Sequence, residues 1–168
     1  MANEEQLTRL LQGSDRWNHW RTAHPEIAID LSTADLSYAH LHAVDLSGAN
    51  LEKANLSKAD LRHANLNHAN LHIANLSGAN LRHASLHHAK LQIANLDQAN
   101  LREANLEYAD LSWAGLVETN LLEANLHGVN FHGATLHGAI LYRAVLTRVN
   151  LEGADLKQAT LPDGSVHS

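Results

Sequence analysis

Side chains able to do chemistry are plentiful: the chain carries 14 His, 18 Asp or Glu, and 12 Lys or Arg. Imidazole beside carboxylate is the usual material of general acid–base catalysis, and three or four imidazoles, carboxylates or thiolates at one point hold zinc. Spacing argues against catalysis. There is no Gly-rich phosphate loop, HExxH metal motif or nucleophile elbow. The absence of Cys excludes disulfides and thiolate chemistry and leaves the redox compartment open. His63, His68, His83 and His88 instead recur at steps of five and twenty, so they belong to a pattern that runs through the chain.

That pattern is a leucine at every fifth residue from Leu31 to Leu161, with Phe131 filling one slot. A helix cannot host it, because five residues advance about 500° around a 3.6-residue helix and would spiral the leucines over every face. An uninterrupted strand fails as well, since five is odd and alternation would send successive leucines to opposite sides. All of them point inward only if the chain turns once per unit. Two positions before each leucine sits Ala, or Ile29, Val44, Thr119, Val129 or Val149, which places a small residue on the same inward face. The slot just before the leucine is mainly Asn or Asp, as in Asn50, Asn55 and Asp60, short side chains that bond to nearby backbone and tolerate turn dihedrals. The two positions after it vary among Ser, Arg, His, Glu, Lys and Gly and form the outer wall.

Tandem units such as Ala49-Asn50-Leu51-Glu52-Lys53 and Ala99-Asn100-Leu101-Arg102-Glu103 closely resemble the pentapeptide-repeat family. The resemblance covers residues 29–163. It implies an all-β solenoid, a right-handed quadrilateral β-helix with four units per coil and the central leucine inside. Twenty-seven units then make nearly seven coils, stacked into a rod roughly 30 Å long at the usual interstrand spacing of about 4.8 Å.

Residues 1–28 read as a short N-terminal α-helical cap and lead-in. Leu7, Leu10 and Leu11 form an apolar stripe on a helix over 4–12, with Asn3 as N-cap and Gly13 as C-cap. Asp15-Arg16-Trp17-Asn18-His19-Trp20-Arg21 looks like the lead-in before the repeats of cyanobacterial members. Leu7, Leu10, Leu11, Trp17 and Trp20 are expected to cover the first coil, whose open edge would otherwise template aggregation. At the other end Pro162 and Gly164 stop the last coil, and 164–168 form a short tail. Either that tail folds back or the final coil meets a second copy. A monomer is expected in preference to a homodimer joined at C-terminal ends. The net charge is −6 with His neutral, and residues 31–161 hold 12 acidic against 9 basic side chains, so no basic nucleic-acid surface is expected. The N-terminus lacks a basic start with an apolar stretch, and no run approaches the ~20 apolar residues of a membrane helix, so a cytoplasmic location away from the membrane is expected.

Four units per coil place residues twenty apart above one another, which turns the wall into columns. Arg62, Arg82 and Arg102 stack in one column beside His63 and His83, a locally positive wall. Ile73, Ile93 and Trp113 stack in a second, either as sheet-stabilising neighbours or as a contact surface. His68 and His88 share a third with His87 alongside; two imidazoles without a fixed carboxylate or thiolate fall short of a zinc set, so they read as stacked surface histidines and no metal or cofactor is expected. A narrow leucine-filled coil offers no concave pocket to desolvate a catalytic pair such as His83 and Glu103. The expected function is therefore a non-enzymatic structural or protein-interaction solenoid whose protein partner is unidentified. The alternative implied by the resemblance is a DNA mimic acting on DNA gyrase or another topoisomerase, as certain family members do. It needs a long acidic face, and here Lys53, Lys58, Lys90 and the Arg column interrupt one.

Overall fold

A computed structural model describes residues 1–168. From Asp30 onward the chain climbs in a four-sided coil: residue pairs twenty apart, from Asp30–Asn50 to Ile140–Thr160, form parallel bridges on each side in turn. Bridge hydrogen bonds repeat with near-constant geometry. The Leu31 N–H donates to the Asn50 carbonyl at 2.8 Å, and the Asn50 N–H donates back to the Ile29 carbonyl at 2.9 Å. The core is the column of leucines with the small residue two positions earlier, together with Phe131, all buried along the body of the rod. Thr119 is the one buried hydroxyl among them, and it donates to the Leu96 carbonyl at 2.7 Å, which removes the cost of burying it unpaired.

Each corner is a tight turn. The N–H of the residue three after a leucine donates to that leucine's carbonyl, as from Ala34 to Leu31 at 3.1 Å. The second residue after the leucine has positive φ, the signature of a type II turn. The sequence points to Asn or Asp as the residue tolerating turn dihedrals. The left-handed residue is instead two places beyond the leucine, because the Asn or Asp slot is extended and used by the bridge. Its side chain does bond to backbone: Asn50 Oδ1 accepts from the Glu52 N–H at 3.2 Å, and Asn50 Nδ2 donates to Asp30 Oδ1 in the coil below at 3.1 Å.

Two helices close the N-terminal end, α1 (Glu4–Leu10) and α2 (Ser14–Ala23). Asn3 caps α1 as expected, its side chain accepting from the Gln6 N–H. The helix ends at Leu10, before the expected Gln12, and Gly13, at φ 114°, serves as the N-cap of α2 and not as the C-cap of α1. Helix α2 was not evident in the sequence: Trp17 and Trp20 are its only large apolar residues, too few to show a helical period. Leu10 and Trp17 are buried against the first coil, and Leu7 and Trp20 pack at its margin. Leu11, expected in the cover, is 58% exposed, because it falls just beyond the end of α1 and turns away from the coil.

Polar residues finish the closure. Asn18 accepts from the Asp45 N–H at 2.8 Å and donates to the Ala43 carbonyl at 2.9 Å, as a neighbouring peptide would. Gln6 does the same for the Asp30 N–H (2.8 Å) and the Ala28 carbonyl (2.9 Å). The Trp17 indole donates to the Asp45 carbonyl at 2.7 Å. At the far end the tail folds back, Val166 pairing antiparallel with Thr160, while Leu146, Leu151, Leu156 and Leu161 stay half-buried. No helix is long and apolar enough to cross a membrane.

Candidate interaction surface

The register sets Ile73, Ile93 and Trp113 on consecutive levels of one corner: their N–H groups donate to the carbonyls of Gln92, Ser112 and His132 in the coil above, at 3.0, 3.0 and 2.8 Å. All three side chains face out, with exposures of 41%, 52% and 61%. They occupy the left-handed turn position, at φ 60°, 61° and 60°. This conformation disfavours β-branched side chains most strongly, because the second γ-substituent crowds the backbone. Sheet propensity therefore does not account for the two isoleucines, which stand on turns and not in strands.

Trp113 does not project freely. Its indole lies over Gly133 one coil up, where an added Cβ would come within 2.5–2.8 Å of three ring atoms. His132 meets the ring edge-on, with centroids 5.2 Å apart. The vacant space at Gly133 is thus the seat of the tryptophan. It is legible in retrospect, because Trp113 and Gly133 are twenty residues apart. The flanks of the stripe are polar: His72, Gln92 and Ser112 on one side, Asn75, Asn95 and Gly115 on the other, with the Asp110 carboxylate bonded to Gln92 at 2.8 Å and the Asp97 carboxylate against Gly115. An apolar centre inside a polar margin is the usual anatomy of a protein contact.

The arginine column is also brought together, but its charge is largely spent. Arg62 grips Asp60 through two bonds, Nε to Oδ1 at 2.8 Å and Nη2 to Oδ2 at 2.7 Å. That bond holds the Asp60 carboxyl below its ordinary range and raises the Arg62 guanidinium. Arg102 Nε donates to Glu103 Oε1 at 2.9 Å, and Glu103 Oε2 lies 3.3 Å from His83 Nδ1. Arg82 alone of the three has no ion pair, and its Nε is buried without a partner. The locally positive wall expected from the column carries alternating charge, because carboxylates at Asp60 and Glu103 flank Arg62 and Arg102 at contact distance.

The histidines form two ring stacks. His63 and His83 are parallel at 4.8 Å. His68, His88 and Tyr108 stack at 5.3 and 5.2 Å, and His87 meets His88 at 4.2 Å. All three cavities of the molecule lie at the cap, lined by residues between Asn3 and Ile27 and by His42 of the first coil, so none opens on the walls above that coil.

The family model for pentapeptide repeats matches the chain in eight copies, with segments running from residue 29 to residue 161. Among solved structures, the chain is similar to HetL, a pentapeptide repeat protein involved in heterocyst differentiation regulation from the cyanobacterium Nostoc sp. strain PCC 7120. Identity is 37% over 84% of this chain and 71% of that one, with a TM-score of 0.59. The pentapeptide repeat protein alr5209 from Nostoc PCC 7120 is 42% identical over 60% of this chain and 78% of that one, with a TM-score of 0.52. QnrB1, a plasmid-mediated fluoroquinolone resistance protein, matches at 19% identity over 80% of this chain and 82% of that one; its TM-score of 0.43 carries no functional argument. No curated protein matches the chain.

Proposed function

This chain belongs to the pentapeptide repeat family, and on that premise we propose that it acts as a non-enzymatic protein-interaction solenoid, with the Ile73–Ile93–Trp113 stripe as its contact surface. One observation carries the reading. Two β-branched residues are held in left-handed turns, a conformation costing about 1–2 kcal/mol per residue, at positions that leave half of each side chain in water. Folding alone favours Gly or Asn there; a partner that covers the stripe explains Ile. Trp113, seated on Gly133, supplies a preset aromatic anchor of the kind that dominates binding energies. A non-catalytic role is supported by walls without a cavity in which water could be excluded from the exposed acids and imidazoles. The gyrase-directed DNA-mimic reading has no comparable support, since charges of both signs alternate along the walls.

The test pairs capture with stability. Trp113→Ser and Ile93→Asn are expected to abolish co-purification of a partner from native extract while lowering the unfolding free energy from denaturant melts by no more than about 2 kcal/mol. Capture that survives both substitutions would overturn the assignment of this stripe. Supercoiling by DNA gyrase is expected to be unchanged in the presence of the protein, and its inhibition would favour the alternative.

A further inference from the structure

We infer that the cleft between α1 and α2, on the outer side of the cap, is a binding site for a small organic phosphate. Helix α2 works on two faces. At about 100° per residue, Trp17, Asn18 and Arg21 fall on one side, and each donates to a backbone carbonyl of the first coil. Arg16, His19, Trp20 and Ala23, at i, i+3, i+4 and i+7, fall on the opposite side, where closing the rod makes no use of Arg16, His19 or Ala23. With His24 and with Arg9 of α1 they line a cavity of about 480 Å3, the size of a small-molecule site. A second cavity, of about 360 Å3, shares Arg9, Trp20 and His24 with it.

The lining is cationic in a chain of net charge −6: two guanidinia and two imidazoles stand against one carboxylate, Asp15. Its inner donors are held in place before a ligand arrives. The Arg9 guanidinium lies over Trp20, with Cζ 5.0 Å from the ring centroid, and the His24 ring stacks on the same indole at 5.4 Å and 25°. Arg9 Nη2 is 3.2 Å from Glu5 Oε1, but the pair is exposed and contributes little, so an incoming anion readily replaces Glu5. Arg16 has no ion pair, so its charge is unspent. His24 Nδ1 lies 3.0 Å from the Trp20 carbonyl oxygen, which can only accept; Nδ1 therefore carries a proton and Nε2 is left for the ligand. Guanidinium forks match phosphate oxygens, and two of them beside two imidazoles favour a dianion with three terminal oxygens. The indole and the small side chain of Ala23 leave room for a flat organic group. The arginine column on the wall is the poorer host, because Arg62 and Arg102 are already paired and no cavity adjoins them.

The experiment is calorimetric titration of phenyl phosphate into the full chain, with indole and imidazole resonances followed by NMR. One molecule per chain is expected, shifting the Trp20, His19 and His24 signals and leaving those of Trp113 unmoved. Inorganic phosphate and benzoate should each bind at least fivefold more weakly. Arg16→Gln removes a guanidinium and Ala23→Leu fills the space, and each should lower the affinity at least tenfold. Both residues are exposed, so thermal melts of the two variants should match that of the parent. Arg148→Gln, the same charge change at the other end of the rod, should leave binding intact. Unchanged affinity in Arg16→Gln or in Ala23→Leu, an equal loss in Arg148→Gln, benzoate bound as tightly as phenyl phosphate, or no saturation at millimolar probe would each overturn the site.

Discussion

Replacing Gly133 with Ala isolates the seat of Trp113 from ordinary backbone strain. Gly133 has φ +64°, so any Cβ there costs about 1–2 kcal/mol from the left-handed conformation alone. The same Cβ would fall 2.5 Å from Cε3 and 2.6 Å from Cζ3 of Trp113, so the indole has to lift. With 61% of the residue exposed, the remaining covered area is about 100 Å2, worth about 2 kcal/mol if wholly lost, and a tilted ring forfeits about half of it. Gly153 is the internal control, one coil up, at φ +70° with nothing nearer than 3.8 Å to an added Cβ. Gly153→Ala therefore carries the backbone cost only. Both substitutions lower the entropy of the unfolded chain equally, so that contribution cancels between them. Gly133→Ala should exceed Gly153→Ala by about 1 kcal/mol, or about 2–4 °C in Tm for a chain of this size. Its tryptophan emission should shift to the red as Trp113 lifts, and in a Trp113→Ser background its cost should fall to that of Gly153→Ala. Equal costs for the two alanines with unchanged emission would refute the seating argument.

Two further outcomes test the core and the carboxylates. Leu76→Asp places an unpaired charge at a fully buried site and should unfold or aggregate the rod, whereas Ser77→Asp, one residue on and outward, should change stability by no more than about 0.5 kcal/mol; similar thermal melts would refute the inside–outside assignment. Acid should destabilise the rod: Asp60 is lowered from 3.8 chiefly by Arg62 and Asp30 by the Ser32 N–H and hydroxyl, while in Asp110 burial is outweighed by Ser112, Gln92 and Asn130. Their folded values lie below the unfolded one, so the stability they contribute is fully present well above pH 3.8 and is lost as pH falls through the folded values. Melts of the parent should weaken progressively below about pH 4, and Asp110→Asn should flatten that decline; an equally steep acid limb in Asp110→Asn would discount this carboxylate.

Most of the fold was legible because its cause is local and repeated. Leu31 and Leu36 each demand an inward face, and Ala34 between them demands a turn that returns the chain to that face. The ends were less legible because they occur once. Trp17 and Trp20 signalled a cover, but the helix bearing them has too few apolar residues to declare a period, and Gln6 and Asn18 look like any surface amide until the strand edge they satisfy is in place. At the candidate surface the column Ile73–Ile93–Trp113 could be read from spacing alone. That these residues carry left-handed φ, and so cannot be explained as strand formers, could not.

The division between the two sources follows from range. A five-residue period of one large and one small apolar side chain excludes helix and continuous strand through geometry that acts within a few bonds, so the sequence by itself determined a turning solenoid, its inside and its outside. What remained was decided by the closed coil and by the side-chain torsions within it. Asp60 and Glu103 neutralise much of the arginine column because guanidinium and carboxylate ends meet at contact distance, which depends on side-chain torsions that no spacing specifies. The His88 ring lies 5.3 Å from that of His68 and 5.2 Å from that of Tyr108, an arrangement that likewise depends on side-chain torsions set within the closed coil.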